Sequence, residues 1–366
     1  MFISKYREKI GPLSESIAIF TMFGASIVYC AFSKTKVIWN GLARSFNVQM
    51  IELYLITLFF ASVVPLPARI QYFAILLPLL LFFFSYKITK DIDGILVYLI
   101  GISVVVVALV LFFFTNYYNN ELYDTEEANN AAYTVLVFLP FLLCYRRVVV
   151  RIASIVLVFV ITLLSLKRGG LFGVSLGMAI YLFIDQVAIK EKKINMAGLL
   201  VILVGLVGLY LLFDRFNETS GGLFMTRLEE MSETGGSNRI LIYEDKLHEI
   251  VNSDFLGLIF GHGWLATENA GKIKLTAHND ILEIAYDFGL VGLCLFACVI
   301  MSLYRLQKDL IDEKSRLAAP FGASMGILLV LIGVSHIWVY HQMLSVFALF
   351  WGFVLAAKGN EYFRRK

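Results

Sequence analysis

His278 stands at the head of "AHNDILEIAYDFGLVGL" (277–293), where an imidazole and three carboxylates precede a stretch that quickly turns apolar. Imidazole is the side chain whose ordinary pKa lies nearest neutrality, so at such a place it can accept a proton from a hydroxyl. A histidine at a helix mouth can equally be a cap or an interface residue, and the spacing leaves both readings open. Asp280, Glu283 and Asp287 are three and four apart, which puts them on one helix face. Acidic residues also suit a helix N-terminus. Asp287 lies a turn further in, where a carboxylate beside lipid must face the bundle or a water-filled cavity.

Two arginines could hold an anion near that histidine. Arg168, preceded by Lys167, is followed by Gly169-Gly170 at the start of an apolar run. Backbone N–H groups and the positive end of a helix would there sit beside a guanidinium, which is the make-up of an anion site. A snorkelling interfacial anchor is the alternative. Arg239 begins "RILIYEDKLHEI", in which Ile240, Tyr243, Leu247 and Ile250 recur at helical spacing and Ser237 or Asn238 can cap the start. This predicts an amphipathic helix lying against the membrane or the bundle. A cation at its N-terminus is unfavourable against the dipole unless an anion is held there; a solvated arginine in an exposed first turn is the alternative. Arg227, His262, Lys272 and Lys274, together with Lys167, Asn279, Asp280 and Glu283, are further candidate contacts for sugar or phosphate.

Other motifs fail. His248-Glu249 lacks the second histidine of a metalloprotease helix, since position 252 is Asn252. Asp91-Ile92-Asp93 has the form of a metal and nucleotide-sugar motif but lies in a short connection with no domain to carry it. Neither a G-x-S-x-G nor a phosphate-binding P-loop occurs. The chemistry is therefore expected to need no metal and no cofactor.

The surroundings of these residues are apolar. The 366-residue chain is 59% hydrophobic and 16% charged, with a mean hydropathy of +0.78 and a net charge of +3; ordinary domains are roughly 25% charged. A soluble globular protein is excluded, and no basic patch of the kind that binds nucleic acid is present. Cys30, Cys144, Cys294 and Cys298 all fall in apolar segments, with neither a disulfide framework nor a zinc spacing, and are expected as small buried hydrophobes. Lys5, Arg7 and Lys9 precede an apolar run without a small-x-small cleavage site, so that run is kept as a span or re-entrant segment.

Hydropathy predicts an all-α, polytopic transmembrane bundle of about eleven spans (10–12), at 13–32, 48–64, 68–86, 94–115, 130–145, 148–166, 169–185, 194–213, 279–303, 318–336 and 338–357. The organisation is a bundle part at 1–213, a large partly helical loop at 214–277 and a second bundle part at 278–366. Basic clusters at Arg146, Arg147 and Arg151, at Lys190 to Lys193, at Arg305 to Arg316 and at Arg364 to Lys366 mark the cytoplasmic side. The acidic "NNELYDTEEANN" and the long loop then lie outside, as do Lys167 and Arg168. Eleven spans with the C-terminus inside leave Lys5, Arg7 and Lys9 outside, against the rule.

Arg168-Gly169 opening a span, "SNRILIYEDKLHEI", "GHGW" and "TAHNDILEIAYDFGLVGL", in that order, resemble the signature set of the O-antigen polymerase and O-antigen ligase superfamily. These are multi-pass, GT-C-like glycosyltransferases of bacterial surface polysaccharide synthesis. The resemblance covers about a third of the chain closely, and its most specific part is the histidine-asparagine helix start followed by "GLVGL". It implies that Arg168 and Arg239 hold a lipid diphosphate and that His278 activates an acceptor hydroxyl. It further implies a location in the bacterial inner membrane with a periplasmic site, and undecaprenyl-diphosphate-linked glycans as donor and acceptor among the membrane lipids. A chain-length regulator and a flippase of the same pathway are the expected protein partners; nucleic acid is not. Polymerase is favoured over transfer of finished polymer to a lipid A core. A transporter should instead carry mid-membrane charges and paired broken helices, and here the charges gather at the outer ends, with Glu52 the main exception.

Overall fold

The computed structural model describes residues 13–37, 40–60, 73–92, 95–119, 126–165, 168–189, 239–338, 341–358, 360 and 362–363. The apolar runs become helices, which satisfy their backbone polar groups internally, as a low-dielectric surrounding demands. In chain order these are α1 (Leu13–Phe32), α2 (Gly41–Phe60), α3 (Leu77–Asp91, entered through a 3₁₀ turn at Phe73–Leu76), α4 (Ile95–Asn119), α5 (Glu126–Leu143), α6 (Val148–Leu164) and α7 (Arg168–Phe183, continued by a π-helical stretch, Ile184–Ile189). After the undescribed part of the loop follow α8 (Arg239–Val251), α9 (Phe255–Phe260), α10 (Ala266–Asn269), α11 (Asp280–Asp287), α12 (Gly289–Asp312), α13 (Ala318–Val334) and α14 (His341–Ala357). The described residues contain no strand.

Among the described residues, Ile95–Thr115, Gly169–Gln186 and Gly289–Asp312 are long and apolar enough to cross a membrane, while α6, α13 and most of α14 are apolar but shorter. On α4, Val97, Val104 and Leu111 are seven residues apart and each more than 60% exposed. That is an apolar stripe that none of the described residues covers, as a helix facing lipid has. The chain is a membrane protein.

Two expectations need correction. The span expected at 279–303 is two helices. Gly289, at φ +63°, breaks it, and a Cβ there would lie 2.4 Å from the Ile259 carbonyl oxygen. The loop backbone passes so close that only glycine fits, and the membrane-length helix starts at Gly289 with the acidic segment left outside it. Cys144 is buried, but Cys294 and Cys298 are exposed. They share with Leu290 and Met301 an exposed face of α12 that no described helix covers. The span expected at 194–213, the Ser237 or Asn238 cap and Arg227 lie outside the described residues.

The helices that carry the site pack around α13. It runs antiparallel to α7: Gly169 sits beside Val334, Gly177 against Gly326 and Ile184 against Gly322. Glycines four apart on both helices let the backbones approach to van der Waals contact, the small-residue packing typical of lipid-embedded pairs. A second seam joins α3 to α14, where Phe82, Phe46 of α2 and Trp351 form a buried aromatic cluster. The first seam runs along α13, from Gly322 to Val334.

Candidate functional site

The C-terminal end of α13 is a meeting point. A helix end leaves its last carbonyls without intrahelical partners, and here α8 supplies donors: Arg239 Nη1 to the Val334 oxygen at 3.1 Å and Tyr243 Oη to the Gly333 oxygen at 3.3 Å. Arg239 is thus at the positive end of its own helix and the negative end of another, and the second contact offsets the unfavourable first. From the other side, the start of α7 presses on the same residue. A Cβ on Gly169 would lie 2.8 Å from Val334 Cγ2 and 2.5 Å from Tyr133 Oη. The backbone of Arg168 is therefore next to the residue that Arg239 binds. The Arg168 side chain, and all of Lys167, lie outside what is described.

Two residues beyond Val334 stands His336, which sequence reasoning missed. Its ring stacks on His278, with centroids 4.7 Å apart and 24° between planes. Nothing at 336 marks it in sequence, because the partners that place it lie more than fifty positions away. Asp280, fully buried, accepts from Ile337 N (3.0 Å) and Trp338 N (2.7 Å) and so holds the chain that carries His336. Glu283 Oε1 accepts from His278 N at 3.0 Å and stands 3.7 Å from His336 Nδ1. One acidic helix thus fixes both imidazoles.

His278 itself has φ +50°, in the left-handed region. Such a conformation strains a residue with a Cβ and persists only where the surroundings enforce it; it clusters at functional sites. Enforcement comes from Glu283 behind it and Asn279 after it, whose side chain caps α11 by accepting from Ile281 N and Leu282 N. The Thr276 hydroxyl lies 3.4 Å from His278 Nε2.

All three carboxylates of α11 are buried, and each is bonded to backbone of a different loop. Asp287 accepts from Leu265 N, Thr267 N and Thr267 Oγ1, which caps α10. Glu283, outside the membrane-length helix, has its carboxyl pushed up to about 9, first by burial and then by the charges of Asp287 and Asp280. Among the candidates read from sequence, Asn279, Asp280 and Glu283 therefore build the walls of the site with their polar atoms.

A second clasp fixes the loop before His278. Lys246, fully buried in α8, donates to the Ala270 and Ile273 oxygens at 2.6 Å each, and Asp245 accepts from Lys272 N and Ile273 N. The face of α8 toward the protein is thus built on Ile242 and Lys246, while Ile240 and Leu247 of the expected apolar stripe are about half exposed. The same helix presents Arg239 and anchors the His278 loop.

The remaining candidates sit apart. His262 lies at the far end of α11, its ring 4.4 Å from that of Tyr286 and Nε2 3.0 Å from Ser253 Oγ; burial pushes its pKa below the ordinary imidazole value. Gly263 N and His262 N both bond the Asp287 carbonyl, so "GHGW" clasps the α11–α12 junction. Lys272 and Lys274 are exposed, and Lys274 Nζ contacts the Asn269 oxygen. Among the described residues no group of three or more His, Cys, Asp or Glu side chains is placed to hold a metal.

Residues 153–297 match the family model for O-antigen ligase. The similarity to that family spans those 145 of the chain's 366 residues. The matched stretch runs from α6 into α12 and contains Arg168, Arg239 and His278, whereas His336 lies beyond it. None of the curated proteins matches the chain. Members of the O-antigen ligase family are glycosyltransferase-like enzymes acting on lipid-linked glycans in a membrane.

Proposed function

We propose that the protein joins undecaprenyl-diphosphate-linked repeat units into O-antigen or a related surface polysaccharide on the periplasmic face of the inner membrane. The observation that carries this is the convergence on one helix end. Arg239 binds the Val334 oxygen, the start of α7 lies against Val334 at Gly169, next to Arg168, and His336, two residues on, stacks on His278. A lipid-diphosphate glycan brings together a hydroxyl to be deprotonated and a diphosphate to be neutralised as it leaves. In this reading His278 takes the proton of the acceptor hydroxyl, whose oxygen attacks the anomeric carbon of the donor. The bond from that carbon to the diphosphate oxygen breaks, and the negative charge passes to the diphosphate. Arg168 and Arg239 stabilise it through charge-assisted, forked contacts. The left-handed backbone of His278 and its bond to Glu283 keep the base aimed without rearrangement during the reaction.

The ligase reading, transfer of finished polymer to a lipid A core, is favoured by the description of the matched family. The glycans made by a strain carrying His278→Ala separate the two. A general base contributes about 10²–10⁴-fold, so the variant should insert normally and be nearly inactive, with His278→Gln little better. Polymerase function gives core or carrier bearing one repeat unit and no ladder on a gel. A full ladder retained on the lipid carrier, with bare core, selects the ligase, and wild-type polysaccharide removes His278 from the mechanism.

A further inference from the structure

Cations also gather at the other end of α13. Arg146, Arg151 and Arg316 line a cavity of about 280 Å³ together with Tyr181, Asp185 and Ser315. Its wall includes Ala319, fifteen residues before Val334; at about 1.5 Å of rise per residue the two ends are roughly 20 Å apart. The cavity is therefore separate from the glycan-transfer site, and the charge bias that orients the helices puts it on the cytoplasmic side.

We propose that this cavity binds a phosphate-bearing anion through Arg146, Arg151 and Arg316. Among the described lining residues three guanidinium groups face it against one carboxylate, Asp185, which itself accepts from Gln186 Nε2 at 2.8 Å. The side chains of Arg146 and Arg151 are held by contacts within the protein, and Arg316 stands exposed beside them. Arg146 donates through Nε and Nη2 to the Tyr362 oxygen and lies 4.2 Å over the Tyr362 ring. Arg316 N donates to the Phe363 oxygen, so the chain after α14 closes this side of the cavity. Arg151 donates from Nη1 to Tyr181 Oη at 2.6 Å, while its Nε is buried with no partner. A buried guanidinium N–H without an acceptor is costly, and an oxygen of a bound anion would satisfy it. The planar fork of guanidinium matches carboxylate and phosphate oxygens two at a time, and a phosphate has oxygens enough to meet more than one fork. The volume holds roughly nine waters at about 30 Å³ each, room enough for a phosphate group. Such a group can arrive on an anionic phospholipid, whose headgroup lies at this level, or as free phosphate.

Thermal unfolding of the full-length protein in nanodiscs tests this and distinguishes the sources. One arm varies phosphatidylglycerol within phosphatidylcholine. The other titrates inorganic phosphate into pure phosphatidylcholine discs at constant ionic strength kept with chloride. The unfolding midpoint should rise in at least one arm. The half-saturating amount should increase at least about tenfold in Arg151→Gln and in Arg316→Gln. Arg316 is exposed and its backbone bond survives substitution, so that variant should fold even if Arg151→Gln does not. Arg147→Gln, at an exposed neighbour outside the cavity, should respond like wild type. A response to phosphatidylglycerol alone assigns a lipid headgroup, and an equal response to phosphate assigns a soluble anion. No response in either arm, or equal weakening by Arg147→Gln, overturns the proposal.

Discussion

The two ends of α13 use charge in opposite ways. At its C-terminal end the ionisable groups are carboxyls buried among backbone donors: Asp280 on residues 337–338, Glu283 on 278 and Asp287 on 265–267. At its N-terminal end the charged groups are mainly cations around open space, with Arg151 Nε left without a partner. The first arrangement is closed and rigid. Its carboxylates shape loops so that one strained imidazole and one arginine are presented. The second is open and asks for a ligand to complete it. Buried polar groups satisfied by backbone build a site; a buried donor left unsatisfied marks one.

The sharpest way to break the closed end is to remove Asp280. Asp280→Ala leaves two buried N–H groups without acceptors, at about 1–3 kcal/mol each. Stability should fall by several kcal/mol and activity should fall with it, because the segment bearing His336 is released. Asp280→Asn should keep one acceptor and lose less. A thermal midpoint of Asp280→Ala equal to wild type would show that the segment is held by something else. The same end should also respond to pH. The Glu283 carboxyl ordinarily titrates near 4.5 and is pushed up to about 9 when folded, so the folded state binds a proton that the unfolded state lacks between those values. Its contribution is fully present below about pH 4.5 and is lost as pH rises through about 9. Glu283→Gln should flatten the alkaline arm of a stability–pH curve, and an unchanged curve would refute the raised pKa.

Much of this was legible in the sequence. Hydropathy placed the helices α1, α4 to α7, α13 and α14 within about four residues, because apolar length is read directly. By contrast, α2 begins at Gly41 rather than 48 and α3 runs on to Asp91 rather than 86. Arg168 and Arg239, as cations at helix starts, and His278, as an imidazole at a helix mouth, are candidates visible in the sequence, and all three fall within the matched family stretch. The break at Gly289 was not, since the glycine is needed by a carbonyl thirty positions earlier at Ile259. His336, Lys246 and the role of the three carboxylates were hidden for the same reason. Periodicity showed Asp280, Glu283 and Asp287 on one face but not which backbone would meet them. On α8 the apolar stripe was visible, yet the helix docks through Arg239, Tyr243 and Lys246, whose acceptors are main-chain oxygens with no sequence signature.

A smaller effect is expected at Arg239, which bridges the two uses of charge. It donates to the Val334 oxygen and is exposed enough to meet a substrate. Arg239→Ala should lower kcat/KM by about ten- to a hundredfold, from a charge-assisted contact of about 1.5–3 kcal/mol. Arg239→Lys should recover part of it, because a point charge remains but the fork is lost. Full recovery by lysine would mean that one contact suffices.

The smallest effect tests whether His336 belongs to the site or merely to its wall. Its face covers the His278 ring at 4.7 Å, while its Nδ1 is 3.7 Å from Glu283, longer than a hydrogen bond. Stacking is therefore the contact that matters, and such pairs are worth about 0.5–1.5 kcal/mol. His336→Ala should free the His278 ring and lower kcat about two- to tenfold, with KM little changed, since the base is misaimed and substrate contacts remain. His336→Phe keeps an aromatic face and should restore most of that loss. If Phe is as poor as Ala and the pH profile of kcat shifts, the imidazole acts through Glu283 instead. If Ala matches wild type, the fixed left-handed backbone of His278 is enough to aim it, and the acidic helix alone makes the closed end what it is.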